Sequence, residues 1–245
     1  MSSTRATYLR YEILRSFRNR RFLVLSLAFP LVLYLVIAGA NRHQTFDGAS
    51  FPLYFMTGMA TLGTMSAVVS SGAVVAAERA VGWTRQMRIT PLRIRSYFGA
   101  KVASGYLRAL LTIALLALAG TAFGVRLTAH EWLTVVGLIL IGLIPFAVLG
   151  ILVGHLLNAD SVAIAVGGIV TLFALLGGAY AFLLAKSGPL FEVMKALPSY
   201  WLVQAGKAAD GGGGWPAEGW IVVAVWTLAL LPLAVFAYHR DTKRT

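Results

Sequence analysis

The sequence predicts an all-α integral membrane fold with six spanning helices, and three observations carry that expectation. Of 245 residues, 58% are hydrophobic and only 12% charged, with a mean hydropathy of +0.77; a soluble domain is roughly 45–50% apolar and about 25% charged. The apolar residues fall in runs of about 20, the length a helix needs to cross a bilayer core. The 21 Lys and Arg, against 9 Asp and Glu, collect between particular runs.

Residues 1–21 precede the first run. In TRATYLRYEILRSFRNR (4–20), Ala6, Leu9, Ile13, Leu14 and Phe17 share one helical side, while Arg5, Glu12, Arg15, Ser16 and Asn19 fall largely away from it. A basic amphipathic helix of this kind lies in the membrane interface; the alternative is a solvated basic tail. The six spans, together occupying 22–238, are 22–40, 53–77, 104–125, 132–154, 161–185 and 219–238. The first has a basic flank and an Ala38-Gly39-Ala40 site like that of a signal peptide, but its apolar run is long enough to span and its basic flank is longer than a signal peptide's. Pro30, Pro145 and Pro232 are expected to kink the first, fourth and sixth spans. The third begins close to Arg108, which is expected to snorkel to the interface, and no charged residue is expected deep within any span. The loop 186–218 holds Pro189, Pro198, Pro216 and the glycine run 211–214. Its segment LFEVMKALPSYWLVQAGKA is too apolar for a free loop and too short to span, so short helices that cap the bundle or dip into the leaflet are expected. No internal repeat is visible, which gives no support to an inverted-repeat carrier.

Six spans put both termini, including the tail 239–245, on one side. Sixteen Lys and Arg fall on that side and five on the other, so the termini and the loop after the second span are cytoplasmic. This distribution accounts for the net charge of +12 without a nucleic acid as partner.

Several chemistries are excluded. The absence of cysteine removes disulfides, thiolate metal sites and cysteine nucleophiles. No G-x-x-x-x-G-K-[ST], H-E-x-x-H or G-x-S-x-G occurs, and the four histidines lie scattered at loop edges. No metal site or catalytic constellation is indicated, and without a carboxylate relay in the spans the energy for transport must come from elsewhere.

The most polar long stretch is AERAVGWTRQMRITPLRIRSY (77–97), between the second and third spans. Gly82 permits a sharp bend, Trp83, Met87 and Ile89 are apolar contact points among Arg85, Arg88 and Arg93, and Thr90-Pro91 breaks a helix. The stretch reads as a docking element for a soluble partner, or as a solvated basic loop; composition does not separate the two. Its run Glu78-Arg79-x-x-Gly82-Trp83-Thr84-Arg85-x-Met87-Arg88-x-x-Pro91-Leu92, with Lys101 ten residues on, resembles the signature of the ATP-binding-cassette type-2 (ABC-2) exporter permeases, with Trp83 where threonine is common and Arg85 where an acid is common. Pro198-x-Tyr200-Trp201 is similar to that family's pattern before its last span, and the resemblance extends over the whole topology.

That resemblance implies a non-enzymatic transmembrane subunit of an exporter in the plasma membrane of a bacterium. It implies an interfacial helix, a cytoplasmic coupling helix (78–95) and a re-entrant extracellular segment (189–207). Glu78, Arg79, Gly82, Trp83, Arg85, Met87, Arg88, Pro91 and Leu92 would couple to a separate ATPase that holds ATP and magnesium, leaving this chain with no cofactor of its own. A second permease copy or a paralogue would complete a path lined by Thr57, Thr61, Thr64, Met65, Thr171, Phe173 and Tyr180, with Pro198, Tyr200 and Trp201 as outer gate. A path without midplane charge suits an amphipathic or hydrophobic small molecule, such as a drug, natural product or lipid-like compound. Polysaccharide or lipid export within the family, an ATP-independent secondary carrier and a membrane scaffold are the alternatives.

Overall fold

The computed structural model describes residues 2–18, 20–46, 48–83, 94–180, 187–210 and 213–242. The described residues form helices α1 (Ser2–Arg18), α2 (Arg20–Ala40), α3 (Phe51–Val69), α4 (Ser71–Ala80), α5 (Ile94–Ala122), α6 (Ala129–Gly142), α7 (Ile144–Leu156), α8 (Ala159–Leu176), α9 (Pro189–Lys195), α10 (Pro198–Asp210) and α11 (Ala217–Thr242). One small antiparallel hairpin, β1 (Thr45–Phe46) with β2 (Ala49–Ser50), precedes α3.

Among the described residues, five helical stretches are long and apolar enough to cross a membrane: Phe51–Ala80, Ser96–Ala122, Ala129–Leu156, Ala159–Leu176 and Ala217–Arg240. α2, the first expected span, is apolar over the shorter stretch Leu27–Ala40. α3 is the hub, in contact with α2, α5, α7, α8 and α10. It is buried at every position except Phe51 and Ser66, as expected of a helix that is apolar all round. The outer helices α8 and α11 instead expose Ile164, Leu172, Ile221, Val225, Leu228 and Phe236. A belt of that kind is stable against lipid and not against water.

Local chemistry explains the breaks. The second span is interrupted between α3 and α4, where Ser70 Oγ and Ser71 Oγ donate back to the carbonyls of Ala67 (3.1 Å) and Val68 (2.7 Å), the side-chain-to-backbone bonding that bends helices. The fourth is interrupted at Leu143, just before Pro145 at the start of α7, the expected kink. α6 starts with a capping box, Thr128 Oγ1 accepting from the Glu131 amide and Glu131 Oε2 from the Thr128 amide. Where α4 crosses α7 the backbones nearly touch: a Cβ on Gly72 would lie 1.9 Å from the Gly150 carbonyl oxygen, and one on Gly154 2.5 Å from that of Gly72. Gly150-x-x-x-Gly154 is therefore a small-residue seam that only glycine allows.

One expectation is corrected here and another is refined. The third span was expected to begin at 104, but α5 begins at Ile94, so Tyr97, Lys101 and Arg108 lie inside the helix. Arg108 is 5% exposed and does not snorkel. No charged residue was expected deep within a span; Glu78, near the end of its helical stretch, and Lys101 and Arg108, in the first half of α5, are all buried within spanning helices. Hydropathy windows stop at a charge; burial tolerates charges that find partners.

Candidate functional site

The site is assembled from three helices at one end of the bundle. α4 carries Glu78 one turn before its end, and the chain leaves at Val81 and Gly82, where Gly82 has φ +72°. This left-handed backbone favours glycine, as the sequence suggested. α5 brings in Tyr97 and Lys101 on successive turns. α1 lies across α5 and presents Tyr8, Glu12 and Arg15. Leu9 and Leu14, the apolar side of that helix, remain exposed. Glu12, on its polar side, is turned inward and 5% exposed.

Lys101 Nζ donates to Glu78 Oε1 at 2.6 Å and to Glu12 Oε1 at 2.7 Å. Tyr97 OH donates to Glu78 Oε2 at 2.6 Å, and Arg15 Nη1 pairs with Glu78 Oε1. The ammonium also stands 5.2 Å from the centre of the Tyr97 ring. Two carboxylates and the Lys101 ammonium are buried together, and the half-exposed Arg15 balances their charge from the rim, the condition under which buried ions are tolerated. Burial alone would lower the Arg15 pKa, but Glu78 and then Glu12 outweigh it and the guanidinium is held above its ordinary value. Burial pushes the Tyr8 phenol up, and the nearby carboxylates of Glu12 and Glu78 push it further.

Arg79 turns the other way. Its Nη1 donates to the carbonyls of Gly154 (2.8 Å) and Leu157 (3.3 Å), satisfying acceptors left open at the end of α7. Both arms of the polar loop are therefore bound into the bundle: the arm entering it through Glu78 and Arg79, the arm leaving it through Tyr97 and Lys101. α1 is clamped to the same cluster.

Of the residues expected to couple to a partner, Glu78 and Arg79 make these internal bonds, Gly82 forms the turn, and Trp83 is partly exposed beyond it. Arg85, Met87, Arg88, Pro91 and Leu92 lie outside the described residues. Of the expected path residues, Thr57, Thr61, Thr64 and Met65 are fully buried within the protomer. Thr57 Oγ1 lies 3.0 Å from the Val203 carbonyl oxygen of α10, and Thr61 and Thr64 bond back to the carbonyls of Thr57 (2.8 Å) and Ala60 (2.6 Å). Thr171 is exposed, and Phe173 packs edge-on against Phe146 and Trp226. Tyr180 is half-buried. Pro198, Tyr200 and Trp201 are brought together at the opposite end, where Trp201 Nε1 donates to the Lys195 carbonyl at 2.8 Å. They hold the corner between α9 and α10, and α10 packs on α3 and α6.

Among the described residues, one cavity lies between α1, α4 and α5 with Ala163 of α8 at its edge, and another between α2, α3 and α8. One, of about 440 Å³, is polar and includes Glu12, Ser70, Ser71, Lys101, Ser104 and Arg108 in its wall. The other, of about 220 Å³, is lined by Pro30, Leu62, Ser66, Val166, Val170 and Thr171 among others. Of the expected path residues, Thr171 lies in the wall of the second cavity, whereas Glu12, Arg15, Tyr97, Arg108, Leu62 and Ser66 were not among the expected site residues. The i, i+4 pair Leu62–Ser66 carried a usable signal, because it continues to Ser70.

Residues 6–209 match the family model described as ABC-2 type transporter. The "Putative transport permease YvfS" of Bacillus subtilis (strain 168) is 26% identical over 191 residues, covering 77% of this chain and 78% of that protein.

Proposed function

We propose a function from one premise: the chain belongs to the ABC-2 type transporter family. It is a multi-pass membrane transport subunit of that family. Our reading is that it is the permease of an exporter in the plasma membrane of a bacterium, with six spans and both termini cytoplasmic. A separate cassette ATPase docks on the loop between the second and third spans and binds the ATP and magnesium. Two copies, or this chain and a paralogue, enclose the path, and the substrate is an amphipathic or hydrophobic small molecule.

The observation that carries the reading is the Glu12–Lys101–Glu78–Arg15 cluster. A loop tethered at both ends through buried ions cannot be displaced alone. A push on 82–93 is delivered through Glu78 to α4 and through Lys101 to α5, with α1 carried along. ATP-bound and nucleotide-free states of the ATPase would then favour different arrangements of the spans, which is the differential interaction that a driven change requires.

The test is purification from the native host in mild detergent with mass spectrometry and an ATPase assay on the eluate. The expected result is a stoichiometric cassette ATPase that is lost when 82–92 is replaced by a Gly/Ser linker of equal length. A folded chain that brings down no ATPase would overturn the reading in favour of a carrier or scaffold.

A further inference from the structure

α1 has one side that the bundle holds and one that it leaves open. Glu12 is turned inward and pairs with Lys101 at 2.7 Å, and Arg15 reaches Glu78 from the rim, so the helix cannot roll about its axis. The opposite side is thereby fixed outward. Thr7, Arg10, Tyr11, Leu14 and Arg18 are exposed there, and Tyr11 and Leu14 keep 60% and 53% of their surface open. Arg10 stands one turn before Leu14 and Arg18 one turn after it, with Tyr11 three residues before it, the spacings that make neighbours on a helix surface.

The charge of this outward set has one sign. Glu12 is the only acid in residues 1–46, and it is bound to Lys101 on the inner side. Two large apolar side chains are too few to hold a helix on a bilayer by burial alone, so charge has to contribute the rest. An arginine lays its apolar stem along hydrocarbon and keeps its guanidinium in the polar layer. Arg10 and Arg18 on either side of Leu14 therefore suit a helix that lies at head-group level, where anionic lipids attract cations over about one Debye length.

The neighbouring surface is already suited to lipid. α2 starts two residues after α1 ends and exposes Phe29, Val32, Leu35 and Val36, an apolar row that acyl chains tolerate and water does not. The open side of α1 is thus followed along the chain by an open apolar side of the first span.

We propose that the outward side of α1 is a docking surface for anionic phospholipid head groups, with Arg10 and Arg18 on the phosphates and Tyr11 and Leu14 among the upper acyl carbons. Such a surface needs the membrane fold alone and stands whether or not the chain is an exporter. It adds a head-group charge to what an amphipathic pattern implies. The rival occupant is a soluble protein docked on the same side.

The test uses the full chain, whose lack of cysteine allows one label at a time. Tyr11→Cys carries the fluorophore NBD, and Val225→Cys, on the exposed side of α11, carries it as the reference. Each is reconstituted in phosphatidylcholine vesicles that contain a doxyl-labelled lipid, with either a phosphatidylglycerol or a phosphatidylcholine head group, at equal mole fraction. At least threefold stronger quenching by the anionic lipid is expected at position 11, and equal quenching by both at position 225. Arg10→Gln combined with Arg18→Gln should bring the two lipids to parity at position 11. So should salt at about 1 M, where the Debye length falls to about 3 Å; this arm leaves those arginines in place and decides if the double variant folds poorly. Parity at low salt with both arginines present overturns the head-group recognition. A preference that survives both salt and the double substitution overturns the role of the two arginines. No quenching by either lipid at position 11 overturns the membrane contact, and quenching that vanishes when a purified ATPase partner is added assigns the side to that protein instead.

Discussion

Replacement of Lys101 by methionine removes one charge from the centre of the cluster and little else. The lysine side chain is 1% exposed and holds two carboxylates, at 2.6 and 2.7 Å. Methionine keeps most of its apolar length but leaves Glu12 and Glu78 facing each other with Arg15 as the remaining cation. Breaking a buried ion pair from one side costs about 3–5 kcal/mol, because the surviving charge stays desolvated. For a chain of 150–250 residues about 1 kcal/mol corresponds to roughly 2–4 °C in Tm, so a fall of about 6–20 °C is expected. The assay is thermal unfolding of the purified chain in detergent, followed by loss of the monodisperse peak on size-exclusion chromatography. Glu12→Gln should be milder, and the double variant should recover part of the loss, since two groups in direct contact do not contribute additively. A Lys101→Met variant melting within about 2 °C of the parent, or strictly additive effects in the double variant, would refute the claim that this cluster holds α1, α4 and α5 together.

The remaining expectations concern the backbone and the loop. Gly72→Val should yield no monodisperse protein, since even a Cβ there lies 1.9 Å from the Gly150 carbonyl oxygen, whereas Gly99→Val, whose Cβ meets nothing within 4 Å, should elute like the parent. Gly82→Ala places a Cβ on a residue at φ +72° and should lower stability by about 1–2 kcal/mol, seen as a Tm shift of several degrees. Thr57→Val removes the hydroxyl near the Val203 carbonyl oxygen at a loss of about 1 kcal/mol, with chromatographic behaviour unchanged. Charge reversal at Arg85 or Arg88 should abolish ATPase recovery in the pull-down while Tm stays within about 2 °C of the parent; intact recovery would leave the loop without a docking role.

The helices were legible wherever one physical signal dominated. Long apolar runs placed the spans built on α3 with α4, α6 with α7, and α11 to within a few residues, Pro145 marked the broken fourth span, and Gly82 marked the turn; the fifth, expected over 161–185, ends as a helix at Leu176. What escaped were features that depend on two elements meeting. Glu12 reads as the polar side of an amphipathic helix, and nothing in residues 4–20 says that its counterion lies on α5. The threonines 57, 61 and 64 read as a polar stripe fit for a path, yet an isolated hydroxyl can be satisfied by its own helix, and in Thr61 and Thr64 it is. The face of α3 that meets the cavities is the neighbouring one, at Leu62 and Ser66. A helical wheel identifies faces; only the packing of α10 against α3 decides which face is taken.

The charge count shows how a topological inference can survive an error in its terms. Lys101 and Arg108 were counted as loop cations on the cytoplasmic side, and both are buried within α5. Without them fourteen cations remain against five, so the charge bias behind the expectation of cytoplasmic termini remains. The two withdrawn cations acquire a different meaning. Lys101 is neutralised by carboxylates from two other helices, which is what a tether requires. Arg108, about two turns deeper along α5, stands among serines at the wall of a cavity. Its guanidinium is held by Ser70 Oγ and the Ser104 carbonyl, so both buried charges of α5 bind that helix to its surroundings: Lys101 through carboxylates of α1 and α4, Arg108 through a hydroxyl at the break between α3 and α4.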